Sequence, residues 1–275
     1  MISEQTNTVP AHVLTVPGAR LHYELRGTGP LVALVGSPMD ATSFAPLADL
    51  LATDHTVLTT DPRGINRSVL DDPSSESTPE LRASDLAQLL SHVDRGPAAV
   101  LGSSGGAVTV LALAHSPLVH TVIAHEPPLG ELLPDREELR ANTSAMIDTY
   151  LGGDVLGAWA KFMESANIKL PPGVLEMMFG PDRDERHLAD ERRWFAHELR
   201  ATAGWVPDLD VLRAADSRIV VGIGTDSTGQ LCDRTSRALA AELGVSPTMF
   251  SGGHTGFAED PERFAAELRA VLATS

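Results

Sequence analysis

The chain has a single cysteine, few aromatic residues and a shortage of basic ones. With Cys232 alone, no intramolecular disulfide can form. Cys232 falls early in an expected helix, beside Leu231, with no catalytic constellation next to it in sequence, and it reads as structural or incidental. Lys and Arg total 21 against 37 Asp and Glu, a formal charge of −16. Such a balance argues against a general nucleic-acid surface and against attraction to anionic membranes. No run reaches transmembrane length, and no N-terminal segment has the basic-then-apolar pattern of a signal peptide. The expectation is a cytoplasmic protein with no nucleic-acid or membrane partner. Repeats and low-complexity tracts are missing. So are the pattern G-x-x-x-x-G-K-[ST] and any G-x-G-x-x-G after the first buried strand, which removes the phosphate cradle a nucleotide needs. No compact His/Cys/Asp cluster appears either, so the sequence calls for neither metal nor cofactor, although such clusters also assemble from distant positions.

What is present is a sizeable apolar fraction, 43 % of 275 residues, enough for one substantial domain with an inserted lobe. Residues 1–10 are polar and expected to be loosely held. His12–Val16 and Leu21–Leu25 alternate about Pro17-Gly18, a hairpin pattern. Leu31–Val35 is an uninterrupted apolar run, as in a central strand buried on both faces. Further strands are expected at His55–Thr60, Val119–Ala124, Arg218–Ile223 and Pro247–Phe250. Helices are expected at Ser43–Ala52, from Thr78-Pro79-Glu80 to Val93, at Leu231–Leu243 and at Pro261–Leu272. This alternation implies an α/β fold with a mostly parallel sheet flanked by helices.

The interval 132–205 breaks the rhythm and reads as helices alone, inserted in a core made of 1–131 and 206–275. It holds all three tryptophans and four of the seven methionines. Aromatic and methionine content gathered there suits the roof of an apolar pocket. The expected lining is drawn from Met146, Trp159, Phe162, Met163, Met177, Met178, Trp194 and Phe195, some of which must instead form the lobe's own core.

Chemistry centres on Gly102-Ser103-Ser104-Gly105-Gly106. The run follows the apolar Pro97–Leu101 and precedes the helical Ala107–Ala114. Strand, abrupt turn and helix with a serine at the apex form the context of a nucleophile elbow. A serine hydroxyl needs a base. His254, in Ser251-Gly252-Gly253-His254-Thr255-Gly256-Phe257 after the last strand, is the best placed. Two carboxylates can orient it. Glu126 follows a buried strand in His125-Glu126-Pro127-Pro128, and Asp226 follows another in Gly224-Thr225-Asp226-Ser227. The sequence leaves both open. For a developing oxyanion, the N–H of Gly105 is the natural donor. The N–H of Ser37, in Gly36-Ser37-Pro38, is the second, since Pro38 has none. Asp61 and Arg63, in Asp61-Pro62-Arg63-Gly64, read as loop-pinning residues.

The order of these motifs resembles the α/β-hydrolase superfamily over nearly the whole chain. The resemblance implies Ser104 as nucleophile, His254 as base, Gly105 and Ser37 as oxyanion donors and 132–205 as the helical cap. Two features depart from the common pattern. Val35-Gly36 stands where His-Gly is frequent, and the usual register of the acid after Gly224 falls on Ser227. The segment around Glu126 is similar to that of fungal zearalenone-type lactone hydrolases. A serine at the apex differs from the aspartate nucleophile of epoxide hydrolases and haloalkane dehalogenases. The implied activity is hydrolysis of a small apolar ester or lactone. Cofactor-free haloperoxidase-like chemistry, carbon–carbon bond hydrolysis and a catalytically silent binding protein remain as alternatives. A homo-oligomer also stays open, because surface and pocket apolar residues read alike in sequence.

Overall fold

The structure, a computed structural model, describes residues 9–274. Most of the segment expected to be loose, residues 1–8, lies outside that range. Among the described residues nine strands form one sheet: β1 (Ala11–Val16), β2 (Ala19–Arg26), β3 (Leu31–Val35), β4 (Thr56–Thr60), β5 (Val69–Leu70), β6 (Ala98–Ser103), β7 (Val119–His125), β8 (Arg218–Gly224) and β9 (Thr248–Phe250). The spatial order is β1-β2-β4-β3-β6-β7-β8-β9, with the short β5 paired to β2. β1 and β2 form the expected hairpin, and β2 runs antiparallel to β4. Every pairing from β4 through β9 is parallel.

β3 shows why the central runs carry no polar alternation. Leu31, Ala33 and Val35 enter one apolar cluster while Val32 and Leu34 enter another on the opposite face. Both faces are covered by helices, so both sets of side chains must be apolar. The first face is packed by α2 (Pro79–Val93), α3 (Gly105–Ala112) and α10 (Leu231–Leu243), the second by α1 (Ala45–Leu51) and α12 (Pro261–Leu272). Local chemistry sets the helix ends. Thr78 Oγ1 accepts from Leu81 N at 3.3 Å and Pro79 occupies the first turn of α2. Gly244, with φ +68°, closes α10.

Between β7 and β8 the chain leaves the sheet for an inserted helical cap: α4 (Arg136–Leu151), α5 (Val155–Ala166), α6 (Val174–Phe179), α7 (Glu185–His197) and α8 (Leu199–Ala203). A further helix, α9 (Leu209–Arg213), returns to the core, where Leu212 is buried. The cap has its own apolar cluster around Met146, Ile147, Tyr150, Trp194 and Phe195. Its buried carboxylate, Glu191, accepts from Tyr150 Oη at 3.0 Å, Trp159 Nε1 at 2.6 Å and Arg183 Nη1 at 2.6 Å. A buried charge is tolerated because it is paired and fully hydrogen-bonded. The two-residue β5, α9 and α11 (Gly256–Glu259) are not foreseen from the sequence.

Candidate active site

Ser104 stands at the turn from β6 into α3 with φ +57° and ψ −124°. That conformation is sparsely populated for a non-glycine residue and stores about 1–3 kcal/mol. The surrounding contacts hold it. A Cβ at Gly102 would lie 2.2 Å from the Gly106 carbonyl oxygen, and one at Gly106 would lie 2.1 Å from that of Val35. Neither position accepts a side chain without backbone movement. The Ser104 N–H donates to the His125 carbonyl at 3.0 Å, tying the apex to the neighbouring strand.

Gly105 adjoins Ser37 so closely that a Cβ there would meet the Ser37 carbonyl oxygen and Oγ, each at 2.7 Å. As the first residue of α3, Gly105 has no intrahelical acceptor for its N–H. Ser37 is buried, and its hydroxyl donates to Glu198 Oε1. Glu198, at the junction of α7 and α8, has a fully buried side chain and lies 3.6 Å from Arg82 Nη1. Arg82 also donates to Thr109 Oγ1 at 3.0 Å and to Thr202 Oγ1 at 2.9 Å. This chain from the Ser37 loop through the cap to α2 escaped the sequence reading, because only the fold brings its members together.

His254 lies between β9 and α11, and its Nδ1 is 2.6 Å from Glu126 Oε2. Glu126 directly follows β7, is completely buried, and has φ +52°. Its other oxygen accepts from the Gly224 N–H at 2.8 Å. Burial alone would raise the Glu126 pKa, but the hydrogen bond to His254 and the charge of that ring bring it down to about 2. Burial likewise opposes a charged His254. Cys232 and Glu126 beside the ring outweigh it and push the imidazole up to about 10. The adjacent His125 is a contrasting case. It is buried among Phe250, Phe257 and Phe264, and burial lowers it to about 4, so it stays neutral. Asp226, the other carboxylate considered, is exposed; it accepts from Thr225 Oγ1 at 3.4 Å and is not hydrogen-bonded to His254.

Ser37, Ser104, Gly105 and His254 line one cavity of about 520 Å³ beneath the cap. Of the eight cap residues expected in its wall, Met146, Phe162 and Trp194 are there and the others are not. Phe195 is buried inside the cap, stacked on Tyr150 at 4.1 Å. Trp159 stacks on Phe179 at 3.9 Å and belongs to that same interior. Met177 and Met178 are exposed on α6, 75 % and 45 %. Met163 is half-buried and off the wall, since it follows Phe162 by one residue and a helix turns about 100° per residue. The wall also includes Leu139, Ile168, Leu199, Arg136, Arg200 and Cys232. Cys232 sits in the first turn of α10, on the cavity, beside His254. Asp61 and Arg63 lie elsewhere. Arg63 grips Asp85 through Nε at 2.7 Å and Nη2 at 2.6 Å, while Asp61 accepts from Ala41 N and Arg67, which pins the neighbouring loops.

Residues 31–267 match the family model described as the alpha/beta hydrolase family. The chain belongs to the alpha/beta hydrolase family. Among the proteins it is similar to is the uncharacterized hydrolase YraK of Bacillus subtilis (strain 168), 30 % identical over 96 % of this chain and 97 % of that one. A zearalenone hydrolase of Bionectria ochroleuca is 26 % identical over 92 % and 94 %. In fold, this α/β-hydrolase is similar to a thermophilic esterase from Thermogutta terrifontis, with TM-score 0.72 and 23 % identity over 96 % and 98 % of the two chains. It is also similar to the enol-lactonase of Burkholderia xenovorans LB400, with TM-score 0.70 and 21 % identity over 95 % and 100 %. Among the described residues no helix is long and apolar enough to cross a membrane.

Proposed function

We propose that this hydrolase cleaves small, largely apolar carboxylic esters or lactones through an acyl-enzyme on Ser104. The observation that carries the reading is the buried Glu126 carboxylate, 2.6 Å from His254 Nδ1, in a cavity wall that also holds Ser104. Glu126 fixes the tautomer, leaving Nε2 to take the Ser104 proton as the hydroxyl attacks the carbonyl. The tetrahedral oxyanion is met by the N–H groups of Gly105 and Ser37. Protonated His254 then serves the leaving oxygen, and a water activated by the same ring releases the acid. With a lactone, the leaving alcohol stays tethered to the acyl group, and the cavity must hold the opened chain. The names esterase, enol-lactonase and zearalenone hydrolase among the relatives support this substrate class.

The test is a panel of aryl esters and hydrophobic lactones given to the purified protein. Turnover of at least one class, lost in Ser104→Ala, is expected. A folded protein that cleaves no member of the panel contradicts the reading.

A further inference from the structure

The sequence shows no compact group of metal-ligating residues, but the fold assembles one. Glu126 comes from the end of β7, Cys232 from the first turn of α10 and His254 from the loop after β9. One carboxylate oxygen, the thiol sulfur and one ring nitrogen all lie within 4.8 Å of one another. Among the described residues no other such group occurs. Cys232 and His254 also line the cavity, so the cluster is reachable by a small ion.

We infer that Cys232, His254 and Glu126 form a binding site for a thiophilic divalent cation, Zn²⁺, whose occupation disables the imidazole as a base. The donor set selects the metal. Thiolate sulfur and imidazole nitrogen suit Zn²⁺, whereas Mg²⁺ and Ca²⁺ require oxygen. Around a tetrahedral zinc, ligand atoms stand about 3.3–3.8 Å apart, given bonds of roughly 2.0–2.3 Å. The Glu126 oxygen and His254 Nδ1, 2.6 Å apart, must part by less than about an ångström to reach that spacing, and the sulfur, within 4.8 Å of the other ligand atoms, must close by about an ångström. The fourth position faces the cavity and is left to water.

Binding is a substitution, not a redox event. The thiol proton of Cys232 leaves to solvent as sulfur joins the metal. The protonated ring of His254 likewise releases its Nδ1 proton to solvent and contributes that nitrogen's lone pair. At Nδ1 the metal replaces the hydrogen bond to Glu126 and leaves the remaining proton on Nε2, so the ring has no lone pair for Ser104. The loss of hydrolysis rests on the function proposed above, whereas the site itself does not.

Co²⁺ added to the full-length protein, without substrate, provides the direct probe. A thiolate-to-cobalt charge-transfer band in the near ultraviolet is expected, displaced by Zn²⁺, absent in Cys232→Ser, and at least about tenfold harder to saturate in His254→Gln. In the activity arm, Zn²⁺ should inhibit ester turnover reversibly, with EDTA restoring it. Half-inhibition of Cys232→Ser, measured against its own metal-free rate, should need at least about tenfold more Zn²⁺. No charge-transfer band, a band retained in Cys232→Ser, or equal Zn²⁺ sensitivity of the two proteins overturns the inference. A band in a protein that cleaves no ester supports the site and contradicts the hydrolase reading alone.

Discussion

His254 Nδ1 lies 2.6 Å from Glu126 Oε2, while the carboxylate of Asp226, on the adjoining strand end, stays exposed. Glu126→Gln should therefore lower kcat on the order of 10³–10⁴-fold, because the amide cannot hold the working tautomer or stabilise the imidazolium. Asp226→Asn should stay near wild type. Steady-state kinetics on both variants, with circular dichroism to confirm folding, make the comparison; the reverse order would move the acid to Asp226.

Protonation of His254 gives a second prediction. Burial opposes its charge, but Cys232 and Glu126 raise its pKa from 6.5 to about 10. A general base works when neutral, so kcat/KM should keep climbing well above pH 6.5, and Cys232→Ser should move that limb to lower pH. The linkage has the matching sign. A pKa raised in the folded state stabilises fully below about 6.5 and loses that contribution as pH rises through about 10. Rate profiles and thermal denaturation across the alkaline range measure both. A limb at the ordinary histidine value, unmoved in Cys232→Ser, would contradict this.

Glu198 and Arg82 are both buried and face each other at 3.6 Å. Glu198→Ala leaves the guanidinium without its counter-charge and Ser37 without its acceptor. A loss of about 3–5 kcal/mol in stability is expected, read as a fall in denaturation midpoint. Replacing both partners, Glu198→Leu with Arg82→Met, should recover part of that loss, since no lone charge remains buried.

Within the cap, burial separates residues that look alike in the sequence. Phe195→Ala should destabilise by about 3–5 kcal/mol, because its ring is buried against Tyr150. Met177→Ala, on an exposed side chain, should change stability by less than about 0.5 kcal/mol. Chemical denaturation of the two variants checks the contrast.

Local features were legible. The both-faces-buried run Leu31–Val35, the sharp strand-to-helix turn at Ser104 and the glycine-flanked loop of His254 can each be read within a few residues. The common acid register after Gly224 falls on Ser227, and the buried Glu126 was readable only as one of two carboxylates at strand ends. What escaped depends on how elements are rotated and docked. Phe162 faces the cavity and Met163 does not, a difference of one helical position that sequence periodicity leaves ambiguous in a cap buried on several sides. Cys232 gained its neighbours only when α10 brought its first turn against the His254 loop. β5, with two residues, is too short to show a period.

The central claim is that Ser104 becomes covalently acylated. Intact-protein mass spectrometry after treatment with a fluorophosphonate tests it most directly. The expected result is one stoichiometric adduct that maps to Ser104, disappears in Ser104→Ala and is strongly slowed in Glu126→Gln. A folded wild-type protein that gains no adduct, or gains it on another residue, would contradict the account.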